Sequence, residues 1–186
     1  MQFNFEIAMN IVLKHEGLYS NNLDDPGAET VFGISRKYWP NWNGWATIDN
    51  LKLPGGILSL SLLKEPEVYN DILGAVYQFY KENFWDKLDP ELPSGIDIFL
   101  FDMAVNQGID KAVKALQFAV GQKQDGVLGP KTKAAMVIRY PETVLKDIFA
   151  RRIFYYMNTN EESERIFGQG WANRAVETFL LALEEV

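Results

Sequence analysis

Apolar residues recur at helical spacing along most of this chain, and one short segment near the N-terminus breaks the pattern. Residues 3–16 carry Phe5, Met9 and Val12 at the spacing of one helical face, and Gly17 is a natural helix end. Residues 20–34 instead hold a dense cluster of turn-forming residues followed by TVFGI, a run typical of a short strand. The sequence therefore predicts a mainly α fold with a small β-hairpin near the N-terminus.

The segment after the hairpin is harder to assign from its pattern. Ser35 is expected to cap a short helix that runs into an aromatic segment, and residues 46–64 are expected to form an irregular loop. Ser94 and Asp97 form a variant capping box, and Asp110 is expected to cap the helix that follows. Further helices are predicted over 66–85, 96–107, 110–120, 130–135, 141–158 and from about 171 to the C-terminus.

The residue types narrow the chemistry that this chain can perform. It contains 186 residues, which suits one domain or one core with a small appended module, and it has no cysteine. Thiol nucleophiles and thiolate metal sites are therefore excluded, and the single histidine, His15, is too little for a histidine-based zinc site. We expect no metal and no cofactor, and a chemistry that depends on carboxylates, hydroxyls, amides or lysine.

Charge and hydropathy narrow the choice of partners. The net charge of −7 argues against nucleic acid, whose phosphates require clustered Lys and Arg. No apolar run approaches the roughly 20 residues of a membrane span, so we expect no membrane insertion. The start, MQFNFEIAMN, lacks the basic region of a signal peptide. We expect a monomer that is synthesised in the cytoplasm and delivered elsewhere by another route.

Glu16 is the first candidate for a catalytic group. It lies at the predicted end of the first helix, where unpaired carbonyls disfavour a carboxylate, so an acid there breaks a local rule. Hydrolysis of a glycosidic bond needs a proton donor and usually a second carboxylate. Asp25 and the adjacent Asp24 are candidates for that second carboxylate, and Thr30 could hold a water beside it. The alternatives are a solvated surface glutamate and ordinary turn chemistry in Asp24-Asp25-Pro26-Gly27.

The segment HEGLYSNNLDDPGAETVFGIS resembles the N-terminal signature of the glycoside hydrolase 108 family, bacterial and phage muramidases once described as secretion activators. Family members typically carry His-Glu-Gly-Gly-Tyr, then Asp-Pro-Gly-Gly-Glu-Thr, then Tyr/Phe-Gly-Ile-Ser. Leu18 and Ala28 stand where the family usually has glycine, and either could alter a turn near the site. The resemblance continues through FWDKL and FLFDMAVNQG, and AVKALQFAVG with DGVLGPKTKAA resembles the family's predicted peptidoglycan-binding motif.

This resemblance implies a lysozyme-like catalytic region over residues 1–108. Residues 109–186 would form a helical, peptidoglycan-binding-like segment packed on the same core. The resemblance assigns Glu16 as the catalytic acid. The order Glu, Asp, Thr also resembles the phage-type lysozymes, where these residue types line the cleft, so Asp25 and Thr30 are expected to be catalytic as well.

Candidate substrate-binding residues are Tyr19, Asp24, Trp39, Asn106 and Gln107. Aromatic rings can stack on sugars and amides can bind N-acetyl groups, but two of the four aromatics at 38, 39, 42 and 45 are expected to be core residues, and Asn106 is equally suited to a helix cap. Asp102, close to the apolar face of its helix, is interpreted as a buried bracing acid rather than a catalytic one.

The resulting hypothesis is an endolysin-like N-acetylmuramidase. It would hydrolyse the β-1,4 bond between N-acetylmuramic acid and N-acetylglucosamine, acting on the cell wall after release by a holin or another route. The alternatives are a non-catalytic peptidoglycan-binding module and a secretion-associated protein that retains the fold. The sequence leaves open whether anomeric configuration is retained or inverted.

Overall fold

A computed structural model describes the backbone of residues 2–21, 29–159 and 161–186, and the side chains of residues 4–21, 29–159 and 168–186. The chain forms two compact units. One unit combines Met1–Val12 with Phe84–Val186, and the other is Leu13–Asn83. Asp24 and Asp25 lie outside the described residues.

Helix α1 spans Gln2–Glu16, as the periodicity predicts. Phe5, Met9 and Val12 are buried, and the ring of Phe5 packs edge-on against Phe101 with 5.7 Å between centroids. Gly17 follows with a φ of +72°, which a glycine adopts without steric cost. The chain therefore leaves the helix directly after Glu16.

A three-stranded antiparallel sheet follows α1. Its strands are β1 (Tyr19–Asn21), β2 (Glu29–Val31) and β3 (Ile34–Ser35), in the order β1-β2-β3. The predicted hairpin is confirmed, with a third strand added. The tight turn between β2 and β3 has a φ of +46° at Phe32 and +79° at Gly33. A positive φ is unusual for an aromatic residue.

The rest of the second unit is helical. It comprises α2 (Gly44–Asn50), α3 (Leu60–Leu63) and α4 (Pro66–Asn83). The prediction of an irregular loop over residues 46–64 is wrong where α2 and α3 form, because α2 buries Trp45 and Ile48 one helical turn apart. Ser35 does not cap a helix, since it ends β3 and the next helix begins only at Gly44.

The first unit is built around one buried helix. Every residue from Ile96 to Ala104 is buried, and the helix that carries them packs against several other helices. A helix that is apolar on all sides is stable only when it is enclosed. Among the described helices, none is both long and apolar enough to cross a membrane. The helices are α5 (Ile96–Gln107), α6 (Ile109–Ala119), α7 (Pro130–Val137), α8 (Pro141–Met157) and α9 (Glu161–Glu184), preceded by a 3-10 turn at Trp85–Lys87.

Two predicted helix caps are wrong. Ser94 does not cap α5, because the N-cap position is occupied by Gly95. The hydroxyl of Ser94 instead accepts a hydrogen bond from Asn4 Nδ2 at 2.9 Å. Asp110 lies inside the first turn of α6 and pairs with Lys114 at 2.7 Å. In both cases the side chain that was predicted to bond to the helix backbone bonds to another side chain instead.

Asp102 lies at the centre of a fully buried polar network. Its carboxylate is 2.7 Å from Arg152 Nη2 and accepts hydrogen bonds from Arg174 Nε at 2.9 Å and from Thr178 Oγ1 at 3.1 Å. Burial raises the pKa of Asp102, but the attraction of Arg152 and Arg174 outweighs it and holds the pKa below its usual value. Asp102 therefore joins α5 to α8 and α9, which agrees with its interpretation as a bracing acid.

Candidate active site

The carboxylate of Glu16 meets the turn between β2 and β3 at Gly33. A β-carbon placed on Gly33 would lie 2.6 Å from Glu16 Oε2 and 2.6 Å from the hydroxyl oxygen of Tyr80. The carboxylate of Glu16 and the phenol of Tyr80 thus fill the space beside Gly33, which leaves none for a side chain at this position. Glycine is required there both for the positive φ and for this close approach.

Tyr80 fixes the turn from the side of α4. Its hydroxyl donates a hydrogen bond to the main-chain oxygen of Phe32 at 2.7 Å, and the side chain is 2% exposed. This bond holds Phe32 in its positive-φ conformation. Because a phenol has one proton and Tyr80 directs it at Phe32, its oxygen can act only as an acceptor toward other neighbours.

Gly33→Ala is expected to reduce catalysis by about 10²-fold, because the new methyl group must displace the Glu16 carboxylate or the Tyr80 hydroxyl. The matched control is Gly56→Ala, which has nearly the same φ of +78° and no atom within 4 Å of the added carbon. Both variants carry similar backbone strain, so any loss of thermal stability beyond that of Gly56→Ala reports the steric conflict at Gly33. Equal hydrolytic rates in the two variants would contradict the account of Gly33.

Glu29, the first residue of β2, belongs to a network of ion pairs. It is 7% exposed, and its carboxylate is 2.6 Å from Arg36 Nε and 3.0 Å from Lys52 Nζ. Asp49 bridges the same two cations, at 2.7 Å from Arg36 Nη2 and 2.8 Å from Lys52 Nζ. Hydrogen bonds from Lys52 and Arg36 lower the pKa of Asp49. In the sequence, Glu29 stands only as the glutamate that matches the family's Asp-Pro-Gly-Gly-Glu-Thr motif. Glu29 and the apolar Val31 are two positions apart in β2 and therefore share one face of the sheet. This spacing was the signal in the sequence for the burial of Glu29.

Tyr19, a predicted substrate-binding residue, belongs to this ionic network. Its hydroxyl donates to Glu29 Oε1 at 3.2 Å. Burial and the negative charge of Glu29 raise the pKa of Tyr19, so the hydroxyl stays protonated and remains a donor. The contact observed for Tyr19 is therefore a support for β2.

Thr30 lies between Glu29 and Val31 in β2 and is half-buried. Successive side chains in a strand point to opposite faces, so Thr30 projects away from the Glu29 network. Its backbone pairs with Ser20 in β1 and with Ser35 in β3. Thr30 is thus on the centre strand of the sheet whose β2–β3 turn contacts Glu16.

The four neighbouring aromatics divide as expected into two core residues and two exposed ones. Trp42 and Trp45 are 8% and 4% exposed, whereas Tyr38 and Trp39 are 65% and 39% exposed. The indole N–H of Trp45 donates to the main-chain oxygen of Trp39 at 2.7 Å. Trp39, the predicted sugar-binding residue, is therefore held at the surface by its backbone.

Asn106 and Gln107 lie at the end of α5, in the other unit. Asn106 Oδ1 accepts a hydrogen bond from Tyr156 at 2.6 Å, and Tyr156 accepts one from Arg152 Nε at 3.0 Å. Asn106 thereby extends the Asp102 network. The side-chain oxygen of Gln107 is buried and has no hydrogen-bond partner among the described residues.

The DGVLGPKT segment forms a loop held by one buried amide. Gln117 Nε2 donates to Asp125 Oδ1 at 2.7 Å and to the main-chain oxygen of Val127 at 2.9 Å. Gly126 N donates back to Gln117 Oε1 at 2.9 Å. The shape of this loop therefore depends on contacts within the protein, and a cavity of about 540 Å³ lies beside it.

Comparison with known proteins identifies the family. The glycosyl hydrolase 108 family model matches residues 9–108, just over half of the chain. The chain belongs to the glycosyl hydrolase 108 family. A second family model, described as a predicted peptidoglycan domain, matches residues 111–176. These family assignments support a glycosidase that acts on peptidoglycan.

A solved structure shares the fold of this chain along almost its whole length. The structure of Brucella abortus SagA is similar to this chain with a TM-score of 0.75 and 28% sequence identity. The similarity covers 99% of this chain and 96% of that one, so it extends through both matched regions. No curated protein matches the chain. The division at residue 108 between a catalytic region and a binding segment stays a prediction.

Proposed function

We propose that this glycosyl hydrolase 108 member is an N-acetylmuramidase of the endolysin type. It would cleave the β-1,4 bond from N-acetylmuramic acid to N-acetylglucosamine within cell-wall glycan strands, as a monomer and without a cofactor. The observation that carries the proposal is the meeting of the Glu16 carboxylate, Gly33 and the Tyr80 hydroxyl at the β2–β3 turn.

Glu16 acts as the general acid in this proposal. The leaving oxygen of the sugar needs a proton as the bond breaks, and a carboxylic acid fixed at a helix end can give it. Tyr80 supports this role through the turn, because its hydrogen bond to Phe32 holds the backbone against which the Glu16 carboxylate lies. The proton passes from Glu16 to the glycosidic oxygen as the bond to the anomeric carbon breaks.

The second carboxylate is Asp25, with Thr30 as its partner. In an inverting reaction the carboxylate takes a proton from water and the threonine hydroxyl holds that water. In a retaining reaction the carboxylate itself attacks the anomeric carbon. Asp24 is the alternative to Asp25, and the proposal gives it a place in sugar binding.

Asp25→Asn is expected to lower hydrolysis by about 10²-fold or more, and Asp24→Asn by much less. Asp25 precedes Pro26, and a residue before proline is restricted to extended conformations that project its side chain. Initial rates on purified cell walls decide between the two. The reverse ranking moves the second carboxylate to Asp24, and equal mild losses would show that both are turn formers.

Loss of turbidity of purified cell walls, together with new reducing ends, tests the proposed activity. A muramidase gives both, a non-catalytic peptidoglycan-binding module sediments with the walls and gives neither, and a secretion-associated protein need do neither. New amino groups without reducing ends would show peptide cleavage and contradict the proposal. Action on the cell wall after release from the cytoplasm is part of the proposal, and added enzyme tests the activity independently of that route.

A further inference from the structure

A concave surface lined partly by α4 lies in the same unit as Glu16. We refer to it as the aromatic pocket, with Tyr38, Trp39, Asn41, Asn43, Phe79 and Glu82 among its lining residues. Its volume is about 370 Å³, within the range of about 300–1,000 Å³ that small-molecule sites occupy. Phe79, which lines the pocket, and Tyr80, which contacts the β2–β3 turn, are neighbouring residues of α4.

The Trp39 ring is held rigidly in the wall of this pocket. It packs edge-on against Phe79, with ring centroids 4.8 Å apart and planes at 87°. Its main-chain N–H donates to Ser35 and its main-chain oxygen accepts from Trp45. The residue nevertheless remains 39% exposed. A large aromatic surface that is fixed and still exposed binds a ligand at little cost in side-chain entropy.

The polar groups around the ring have unused hydrogen-bonding capacity. Within the described residues, the side-chain amides of Asn41 and Asn43 and the indole N–H of Trp39 make no hydrogen bond to the protein. By contrast, Gln78 Nε2 is already used by Glu82 at 2.9 Å. The pocket thus combines one flat apolar face with donors and acceptors near its edge.

The charge of the lining residues selects the ligand class. The lining residues include the carboxylate of Glu82 and no lysine or arginine. A carboxylate-bearing ligand, such as an acidic peptide stem or the lactyl group of a muramic acid, would therefore meet the repulsion of Glu82 with no cation in the lining to offset it. Lys37 lies against the Tyr38 ring, 5.6 Å from its centroid, and is not a lining residue. A neutral pyranose with an N-acetyl group offers a C–H face for the ring and an amide for the asparagines.

We propose that the aromatic pocket is a glycan-binding subsite that holds a neutral N-acetylhexosamine ring against Trp39. It would bind the glycan strand that is being cleaved through a sugar unit that does not contact Glu16 or Asp25. The identity of the polymer rests on the proposed function, but the subsite itself requires only binding. Its occupant is a sugar unit of the N-acetylglucosamine type rather than the peptide part of the wall.

Titration with tetra-N-acetylchitotetraose tests the subsite directly. The probe is added to the full chain carrying Glu16→Gln, and the indole N–H signals of the five tryptophans are followed by NMR. The signal that disappears in the Trp39→Phe variant belongs to Trp39. We expect this signal to shift most, and those of buried Trp42 and Trp45 to shift little. Saturable binding that leaves the Trp39 signal unmoved would overturn the subsite.

Affinities of matched variants complete the test. Trp39→Ala should weaken binding of the tetrasaccharide about tenfold or more, as is typical when an anchoring aromatic is truncated. Trp39→Phe should recover most of that loss because it keeps a flat ring. The control Ile57→Ala removes a side chain that is 69% exposed and does not line the pocket, and it should bind like the parent.

The two proposals fail in different ways. If Trp39→Ala weakens binding but no variant hydrolyses cell walls, the subsite stands and the muramidase activity does not. If walls are hydrolysed and Trp39→Ala binds the tetrasaccharide like the parent, the activity stands and the subsite is wrong. With both correct, Trp39→Ala in the otherwise wild-type chain raises KM for a soluble glycan about tenfold and changes kcat little.

Discussion

Glu16→Gln is expected to reduce cell-wall hydrolysis by about 10²–10⁴-fold while leaving the fold intact. The amide has nearly the same shape as the carboxyl group, so it fits beside Gly33 and Tyr80. It has no acidic proton to give to the leaving oxygen. Initial rates on purified walls, with circular dichroism and thermal melting of the same preparations, measure the effect.

The matched control for this variant is Glu6→Gln, an identical change on the same helix. Glu6 is exposed and lies ten positions before Glu16, so its replacement should leave the rate and the melt unchanged. Near-wild-type hydrolysis by Glu16→Gln, with a cooperative melt, would remove Glu16 from the role of general acid. A loss of activity accompanied by unfolding would instead make Glu16 a structural residue.

Asp102→Asn is expected to destabilise the protein by about 3–5 kcal/mol, because it leaves the buried guanidinium of Arg152 without its counter-charge. A typical domain has a free energy of unfolding of only about 5–15 kcal/mol, so this loss is severe. Denaturant unfolding measures it. The control Asp110→Asn disrupts an exposed pair with Lys114 and should change stability little. Similar stabilities for the two variants would contradict the bracing role.

The Asp102 network also predicts a pH dependence of stability. The folded-state pKa of Asp102 is lowered, so the ionised group stabilises the fold at every pH above its unfolded value of about 3.9. This contribution is lost as the pH falls through the folded-state pKa. The stability difference between the wild-type chain and Asp102→Asn should therefore be constant near neutral pH and shrink in strong acid. A difference that persists at low pH would argue against the ion pair as its cause.

Local patterns in the sequence were enough to predict the elements that carry Glu16. The end of α1 follows from apolar spacing and Gly17, and the β element follows from a turn cluster and a β-branched run. The helices that begin at Pro66, Pro130 and Pro141 were likewise predictable, since proline suits the first position of a helix.

The features missed by the sequence analysis depend on long-range contacts. Ser94 reads as a cap locally, but Asn4 takes its hydroxyl from 90 positions away. Tyr80 was expected only to continue a helix, and its bond to Phe32 spans 48 positions. Local spacing also could not tell that Trp42 is buried and Trp39 exposed, since packing against α4 decides both. Pattern predicts which elements form, and tertiary contacts decide which side chains meet.

The sugar at the newly formed reducing end shows which bond of the glycan strand the enzyme cleaves. Purified peptidoglycan is digested with the wild-type chain, reduced with borohydride and hydrolysed to its component sugars. If the enzyme is a muramidase, reduced muramic acid increases as digestion proceeds. Glu16→Gln should produce less of it by a factor of about 10² or more. Reduced glucosamine in its place would show that the other bond of the glycan strand is cut, and would contradict the assignment of the chain as a muramidase.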